Sequence, residues 1–353
     1  MQGWTAMIES IKGKLSIDGS TRRWSVNTIL ILLPIFIFFL SFLIGRYPLT
    51  PVEVVMTILA KVFPSLQVSA TATTIVWDIR LPRIVAAILV GAALSVAGAA
   101  FQGTFKNPLV SPDILGVSAG SGFGAAIAII LIGIPLVTQA SAFVWGLVAV
   151  TLTYIIGRSI KSSQILGMVL SGMAIGSLFG ALVSLCKYMA DPYEKLPQIV
   201  YWLMGSISAV DNNEVFIASI PIILGITILF ILRWRLNILA MGDEEAQSLG
   251  LETGKLRFII ICCCTLITAA AVSISGIIGW VGLVIPHISR ILVGPDHKNL
   301  LPATICLGAA FLLLVDNISR TILITEVPIG ILTALIGAPF FLYLLRKGHG
   351  RWV

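Results

Sequence analysis

Few side chains in this sequence could do chemistry, and what they offer is ion pairing rather than bond making. The run Asp78-Ile79-Arg80-Leu81-Pro82-Arg83 puts two guanidinium groups three residues apart at the start of an apolar stretch. Arg320 follows Asp316 at a spacing of four, so the two can meet on one helix face. Arginine forks onto carboxylates with two N–H groups. Arg80, Arg83 and Arg320 therefore suit either anchoring of helix ends at lipid headgroups or a grip on an acidic partner. A second set runs Gly242-Asp243-Glu244-Glu245-Ala246-Gln247-Ser248-Leu249-Gly250-Leu251. Glycine and aspartate can start a helix, acids suit its first turn, and Gly250 can stop it. That is more organisation than a passive loop needs, and it fits a docking element for a cytoplasmic partner. A third set is Lys106–Gly116, KNPLVSPDILG, where two prolines and Asn107 break the chain and Asp113 sits near a new helix start. It reads equally as a plain connection or as a re-entrant segment narrowing a pathway, because irregular backbone at membrane depth must lie against protein or a water-filled cavity.

Other chemistries lack the residues to run them. There is no G-x-x-x-x-G-K-[ST], hence no phosphate-cradling P-loop, and neither an H-E-x-x-H nor a buried carboxylate pair of a membrane protease. His287, His297 and His349 fall at or beyond expected helix ends, where an interfacial polar role fits better than metal ligation. Of five cysteines, Cys262, Cys263 and Cys264 are consecutive in an apolar run. Consecutive helical residues point in different directions, so apolar packing is the reading. An ion-coupled secondary transporter is the rival class, with substrate and ion bound at broken helices in mid-membrane. Such a site wants intramembrane carboxylates. Asp316 is the only acid well inside an expected span, and Arg320 can neutralise it.

The element that must position these groups is a bundle of membrane helices. Apolar residues make up 58% of the chain and charged residues 11%, against about 25% charged in soluble domains; mean hydropathy is +1.02. Apolar runs and breakers predict spans near 28–45, 84–102, 114–133, 138–157, 164–186, 214–232, 257–274, 277–293, 302–321 and 328–345. Each lies near the roughly 20 residues needed to cross about 30 Å of hydrocarbon with every backbone amide paired internally. Segments 52–63 and 198–210 are too short or too interrupted and read as surface helices. Residues 1–27 are mostly polar, unlike a cleavable signal peptide.

Ten spans leave only Arg46, Lys61, Arg80, Arg83, Lys187, Lys195 and Arg320, of 23 basic residues, on the side opposite the termini. The positive-inside rule then puts both termini, and the 233–257 loop, in the cytoplasm. The net charge of +7 is spread over helix ends, so it reports topology rather than nucleic acid. Thirty-two glycines, among them Gly91, Gly98, Gly103, Gly116, Gly120, Gly122 and Gly124, permit close helix approach, either as fixed packing or as faces that slide. Ser95-x-x-Gly98, Pro108, Ser111 and Gly116 recur as Ser273-x-x-Gly276, Pro286, Ser289 and Gly294, a spacing match too weak to define a repeat.

Longer motifs make the chain resemble a known family, the FecCD-type permease subunits of binding-protein-dependent ABC importers for iron–siderophores, haem and cobalamin. They are IRLPRIVAAILVGAALSVAGAAFQGTFKNPLVSPDILGVSAG at 79–120, YWLMGSISAVD at 201–211 and LAMGDEEAQSLGL at 239–251, then SGIIGWVGLVIPHISRILVGPDHKNLLP at 275–302, LLLVDNISR at 312–320 and EVPIGILTALIGAPFFLYLL at 326–345.

The resemblance implies an all-α polytopic membrane protein: a cobalamin-importer-permease-like bundle of about ten transmembrane helices over 28–347, between a polar segment 1–27 and a cytoplasmic tail 348–353. It implies pairing with a second permease subunit, expected to be identical, with the pathway between the two. It implies two cytoplasmic ATPase subunits that hold ATP and Mg, no cofactor in this chain, and an extracytoplasmic substrate-binding protein. By resemblance Arg80, Arg83 and Arg320 face acidic residues of that binding protein. Gly242, Asp243, Glu244, Ala246, Leu249, Gly250 and Leu251 form the coupling segment, and Asn107, Pro108 and Leu109 lie near the inner constriction.

Overall fold

The computed structural model describes residues 19–63, 65–160 and 164–347. Most of the polar head, the tail from 348, and with them Lys12, Lys14, Lys161, His349 and Arg351, lie outside the described residues. The described chain is helical, with no strand among its residues. In order the helices are α1 (Gly19–Leu43), α2 (Pro51–Ala60), α3 (Ala70–Thr104), α4 (Val117–Leu131), α5 (Pro135–Ser159), α6 (Gln164–Met189), α7 (Lys195–Leu203), α8 (Asn212–Ile231), α9 (Arg233–Met241), α10 (Asp243–Ser248), α11 (Thr253–Ser275), α12 (Val281–Val293), α13 (His297–Thr321) and α14 (Ile329–Lys347).

Every expected span contains a helix. Six of them, α3, α5, α6, α8, α11 and α13, are long and apolar enough to cross a membrane by length and composition. The others carry shorter apolar stretches. α4 and α12 have 15 and 13 residues, about 22 and 20 Å at 1.5 Å per residue, and irregular backbone makes up the rest of the expected segments. A 3₁₀ turn, Pro112–Leu115, with Gly116 at φ 84, precedes α4. A bend from Gly276 (φ 65) to Trp280 (φ 70) precedes α12. The expected surface helices are α2 and α7. Thr50 and Glu53 close a capping box on α2, each satisfying an orphan donor of the first turn.

Leu81 precedes Pro82, a position biased away from the helical region, which would end a helix there. Instead α3 runs through, with Leu81 at φ −59 and ψ −54. A π-helical turn, Ile75–Arg80, absorbs the defect, and the Leu81 N–H bonds back to Val76. Proline lacks the N–H its turn would use, and a widened turn re-pairs the neighbouring groups. Arg80 and Arg83 therefore sit on one continuous helix at a spacing of three, on the same face.

Burial sorts the spans into a core and a rim. In α3, α11 and α13 the apolar window is 83%, 78% and 61% buried within the chain, against 28–33% in α5, α6 and α8. α3 can be central because ten of its fifteen residues from Ala86 to Ala100 are glycine, alanine or serine. A Cβ built on Gly91 would lie 2.2 Å from the Gly308 carbonyl oxygen, and one on Gly98 would lie 1.8 Å from that of Gly282. These glycines let α3 pack backbone to backbone against α13 and α12. At the end holding the α11 C-terminus, the Gly205 turn (φ 74) sits against the Gly276 bend, and the Ser206 N–H donates to the Ser275 carbonyl at 2.7 Å. The recurring Ser/Gly/Pro pattern does not recur in structure: Gly98 lies mid-helix and Gly276 ends one, while Pro108 is in a loop and Pro286 in a helix.

Candidate functional site

At the end of the bundle where α13 finishes, the arginines that the sequence turned outward point inward. Arg80, Arg83 and Arg320 are 3–5% exposed. The Arg83 Nε donates to Asp316 Oδ1 at 2.8 Å and its Nη1 to Glu326 Oε2 at 2.7 Å. Arg320 Nη2 lies 3.1 Å from Asp316 Oδ2, and its Nη1 donates to the Ile44 carbonyl at 3.2 Å. Among the described residues Arg80 meets no carboxylate; it donates to the carbonyls of Phe42 and Tyr47. Asn317 takes part as well, accepting from Arg320 and donating to Ser41 Oγ at 2.9 Å.

The physical reason lies in α1. A helix C-terminus leaves carbonyls unpaired, with partial negative charge. Two arginines cover those carbonyls, and Gly45 leaves room for one of them, since a Cβ there would lie 2.8 Å from Arg80 Nη2. The expectation that these arginines project from the surface is corrected here: α3 and α13 aim them at one another and at α1. Glu326, missed by the sequence reading, joins them because residues 322–328 fold back over the cluster. Its side chain is 26% exposed, the most open part of the network.

At the opposite end, the segment Gly242–Leu251, expected to be the coupling segment, divides into a held side and a presented side. Ala246 is fully buried. Gly250 takes φ 79, its N–H bonding to Gln247 and the Leu251 N–H to Ala246, the paired bonds of a glycine C-cap. Glu244, Glu245, Ser248, Leu249 and Gly250 are exposed, and Leu249 shows 61% of its surface. Asp243 turns back: Arg257 Nη2 donates to both its oxygens, at 2.9 and 3.1 Å. Leu251 packs against the main core.

Asn107, Pro108 and Leu109, expected to lie near a gate, follow the end of α3 after two intervening residues. Asn107 and Leu109 are exposed and Pro108 half-buried. The Asn107 side chain accepts from the Leu109 N–H at 2.9 Å, the local turn that asparagine favours. Beyond the tip, Val110 and Leu115 are 1% exposed, and Pro112 packs on Gly282, where a Cβ would meet its ring at 2.5 Å. The loop's irregular backbone is thus laid against α12. Gln102 pins it, donating to the Val110 carbonyl at 3.2 Å and accepting from Arg290.

Of the three histidines, His297 is buried, not interfacial, with its Nδ1 2.8 Å from Asn237 Oδ1. That contact ties α9 to α13. Asp296 beside it accepts from the Lys298 N–H and from the Asn237 amide, and these bonds hold its carboxyl below the usual carboxylate range. Arg257, Arg290, Gln102 and Asn237 carried no signal of their own in the sequence; each is a lone polar residue next to an apolar run. Among the described residues no group of His, Cys, Asp and Glu could hold a metal. Cys263 and Cys264 are buried in α11, and all five cysteines are free.

Comparison with known proteins gives concordant matches. The model of the FecCD transport family matches residues 31–347. The molybdate import system permease protein of Haemophilus influenzae is 42% identical over 309 residues, 86% of this chain and 91% of that one. The cobalamin import system permease protein of Halobacterium salinarum is 40% identical over 285 residues, 80% and 76% of the two chains. A solved structure described as a metal-chelate type ABC transporter in an inward-facing conformation superposes with a TM-score of 0.82 at 41% identity, covering 92% of this chain and 99% of that one.

Proposed function

Because the chain belongs to the FecCD transport family, whose members are permease subunits of ABC importers, we propose that it carries a metal chelate across the cytoplasmic membrane by alternating access. The observation that carries this reading is the exposed coupling segment, with Leu249 at its tip and the gate loop beside it. The chain is a transport component. ATP hydrolysis, with its Mg, belongs to two separate ATPase subunits that engage α10 from the cytoplasm, and a second copy of this chain completes the pathway. Both termini are cytoplasmic in this reading, as the basic loops argue.

Substrate arrives from an extracytoplasmic binding protein. Its docking on the outer face centres on the Arg83–Glu326 pair. Arg83 Nη2 is buried without a hydrogen-bond partner among the described residues, so an acid from the partner could take the place of Glu326 on the guanidinium. The cargo is an iron–siderophore, haem or cobalamin. The Halobacterium relative imports cobalamin; the Haemophilus relative imports molybdate, an oxyanion, and that is the competing cargo.

Two observations disfavour ion-coupled transport. Asp316 is neutralised by two arginines, and the exposed α10 would have no role in it. The deciding experiment is uptake into proteoliposomes that hold the permease, its ATPase and its binding protein, with labelled ferric siderophores, haem, cobalamin and molybdate. ATP-dependent uptake of a chelate is expected. Uptake of molybdate alone overturns the cargo, and uptake without ATP overturns the mechanism.

A further inference from the structure

Lys106 has a backbone its residue type does not favour. It closes α3 in the left-handed region, at φ 51. Around it the chain forms the paired bonds of a helix stop: the Asn107 N–H to the Gln102 carbonyl at 3.1 Å, and the Lys106 N–H to that of Gly103 at 3.4 Å. This position is glycine's by preference, since a side chain there crowds the backbone. A strained residue that persists points to a use for its side chain.

The side chain does have a partner. Lys106 Nζ lies 3.6 Å from Asp243 Oδ1. Asp243 is the first residue of α10, and buried Arg257 of α11 already grips both its oxygens. Lys106 therefore meets a carboxylate that has been fixed in place, so only its own freedom is spent on the contact. On its other side Asn107 begins the gate triad directly.

We propose that Lys106 and Asp243 form the tether through which displacement of α10 reaches the gate loop. The proposal rests on the reading of α10 as the ATPase contact and deepens it. It assigns to Asp243 an inward positioning role in place of contact with the ATPase, and it gives a role to Lys106. A half-exposed ion pair is too weak to act as a rigid rod. It can bias a loop that already has two arrangements.

The test uses the full importer, with a cysteine at the gate tip, Leu109→Cys, labelled by an impermeant maleimide and quantified at that site by mass spectrometry. Adding ATP and Mg to the assembled complex should change the labelling rate by roughly fivefold or more, the size of an ordinary coupling between sites. Lys106→Gly should bring that ratio close to one while the ATPase still co-purifies. Its thermal midpoint should equal or exceed the parent's, because glycine relieves the left-handed backbone. Lys106→Arg should keep the response. Asp243→Asn should lose it, and the Asp243→Asn/Lys106→Gly double variant should lose no more than either single change. A merely structural lysine predicts the reverse pattern: stability lowered and the ATP response intact in Lys106→Gly. That result overturns the tether and leaves the importer reading standing. Failure of the parent chain to bind the ATPase overturns both.

Discussion

At the scale of single residues, Arg83 shows how far burial changes the meaning of a charge. On a surface, its reversal would weaken a contact with a partner by a modest amount. Between Asp316 and Glu326 at 2.8 and 2.7 Å it is held inside the protein, and removing one partner of a buried pair costs about 3–5 kcal/mol. Arg83→Glu would set three carboxylates together. We expect much less permease in the membrane and a lower midpoint of thermal unfolding in detergent; normal levels with only docking impaired would show that the cluster opens to solvent. Gly98 gives a second residue-scale expectation. Its missing side chain is what lets α3 touch α12, so Gly98→Ala must push the helices apart at a cost of about 1–3 kcal/mol. Gly180 lies mid-helix in α6 with nothing within 4 Å of its would-be Cβ, so Gly180→Ala should not lower the unfolding midpoint and should raise it slightly through helix propensity.

At the scale of elements, α10 owes its shape to three local devices: Asp243 gripped by Arg257, Ala246 buried, and Gly250 in the left-handed region. Leu249 makes none of these internal contacts and stands 61% exposed. Leu249→Ser should therefore leave folding and thermal stability alone while lowering ATPase co-purification and substrate-stimulated hydrolysis. Hydrolysis that stays fully stimulated would make the segment a passive loop. Gly250→Val is different in kind, because a β-branched residue at φ 79 is strained; it should disorder the segment as well, which increased proteolysis between α9 and α11 would report.

At the scale of the whole molecule, the helices were legible from the sequence because a membrane span is announced by length and apolarity alone. Facing was not. The proline before Arg83 suggested a break that would splay the arginines outward, but a π-turn, which leaves no mark in composition, kept the helix whole and turned both side chains inward. The start of α1 at Gly19, inside the polar head, was missed because a helix needs no apolar residues where it leaves the lipid. The Gly242–Leu251 and Asn107–Leu109 segments were legible in the sequence as organised stretches between helices. Their held and presented sides depend on Arg257, which grips Asp243 from the next helix, and on Gln102, which meets Arg290 188 residues away; neither pairing has a signature in local sequence. The orientation also yields an expectation. Single cysteines at Ser248 and Ser69, each at a capped helix end, should react with an impermeant reagent from opposite sides of the membrane; labelling from one side would require a different number of spans.

The ion cluster between α3 and α13 also has a consequence in time. Arg83 and Asp316 are 233 residues apart in the chain. At about 5–20 residues per second of synthesis, α3 exists for roughly 10–50 s before its counter-charges are made. Throughout that interval Arg83 lacks both of its carboxylates and Gly91 lacks the α13 backbone it packs against, while Arg80 already has the carbonyls of Phe42 and Tyr47. The newborn α3 must wait at the insertion machinery, or at the aqueous boundary, until α13 arrives. Chains that terminate ahead of residue 297 should accordingly be cleared by membrane proteases far faster than chains truncated after 321.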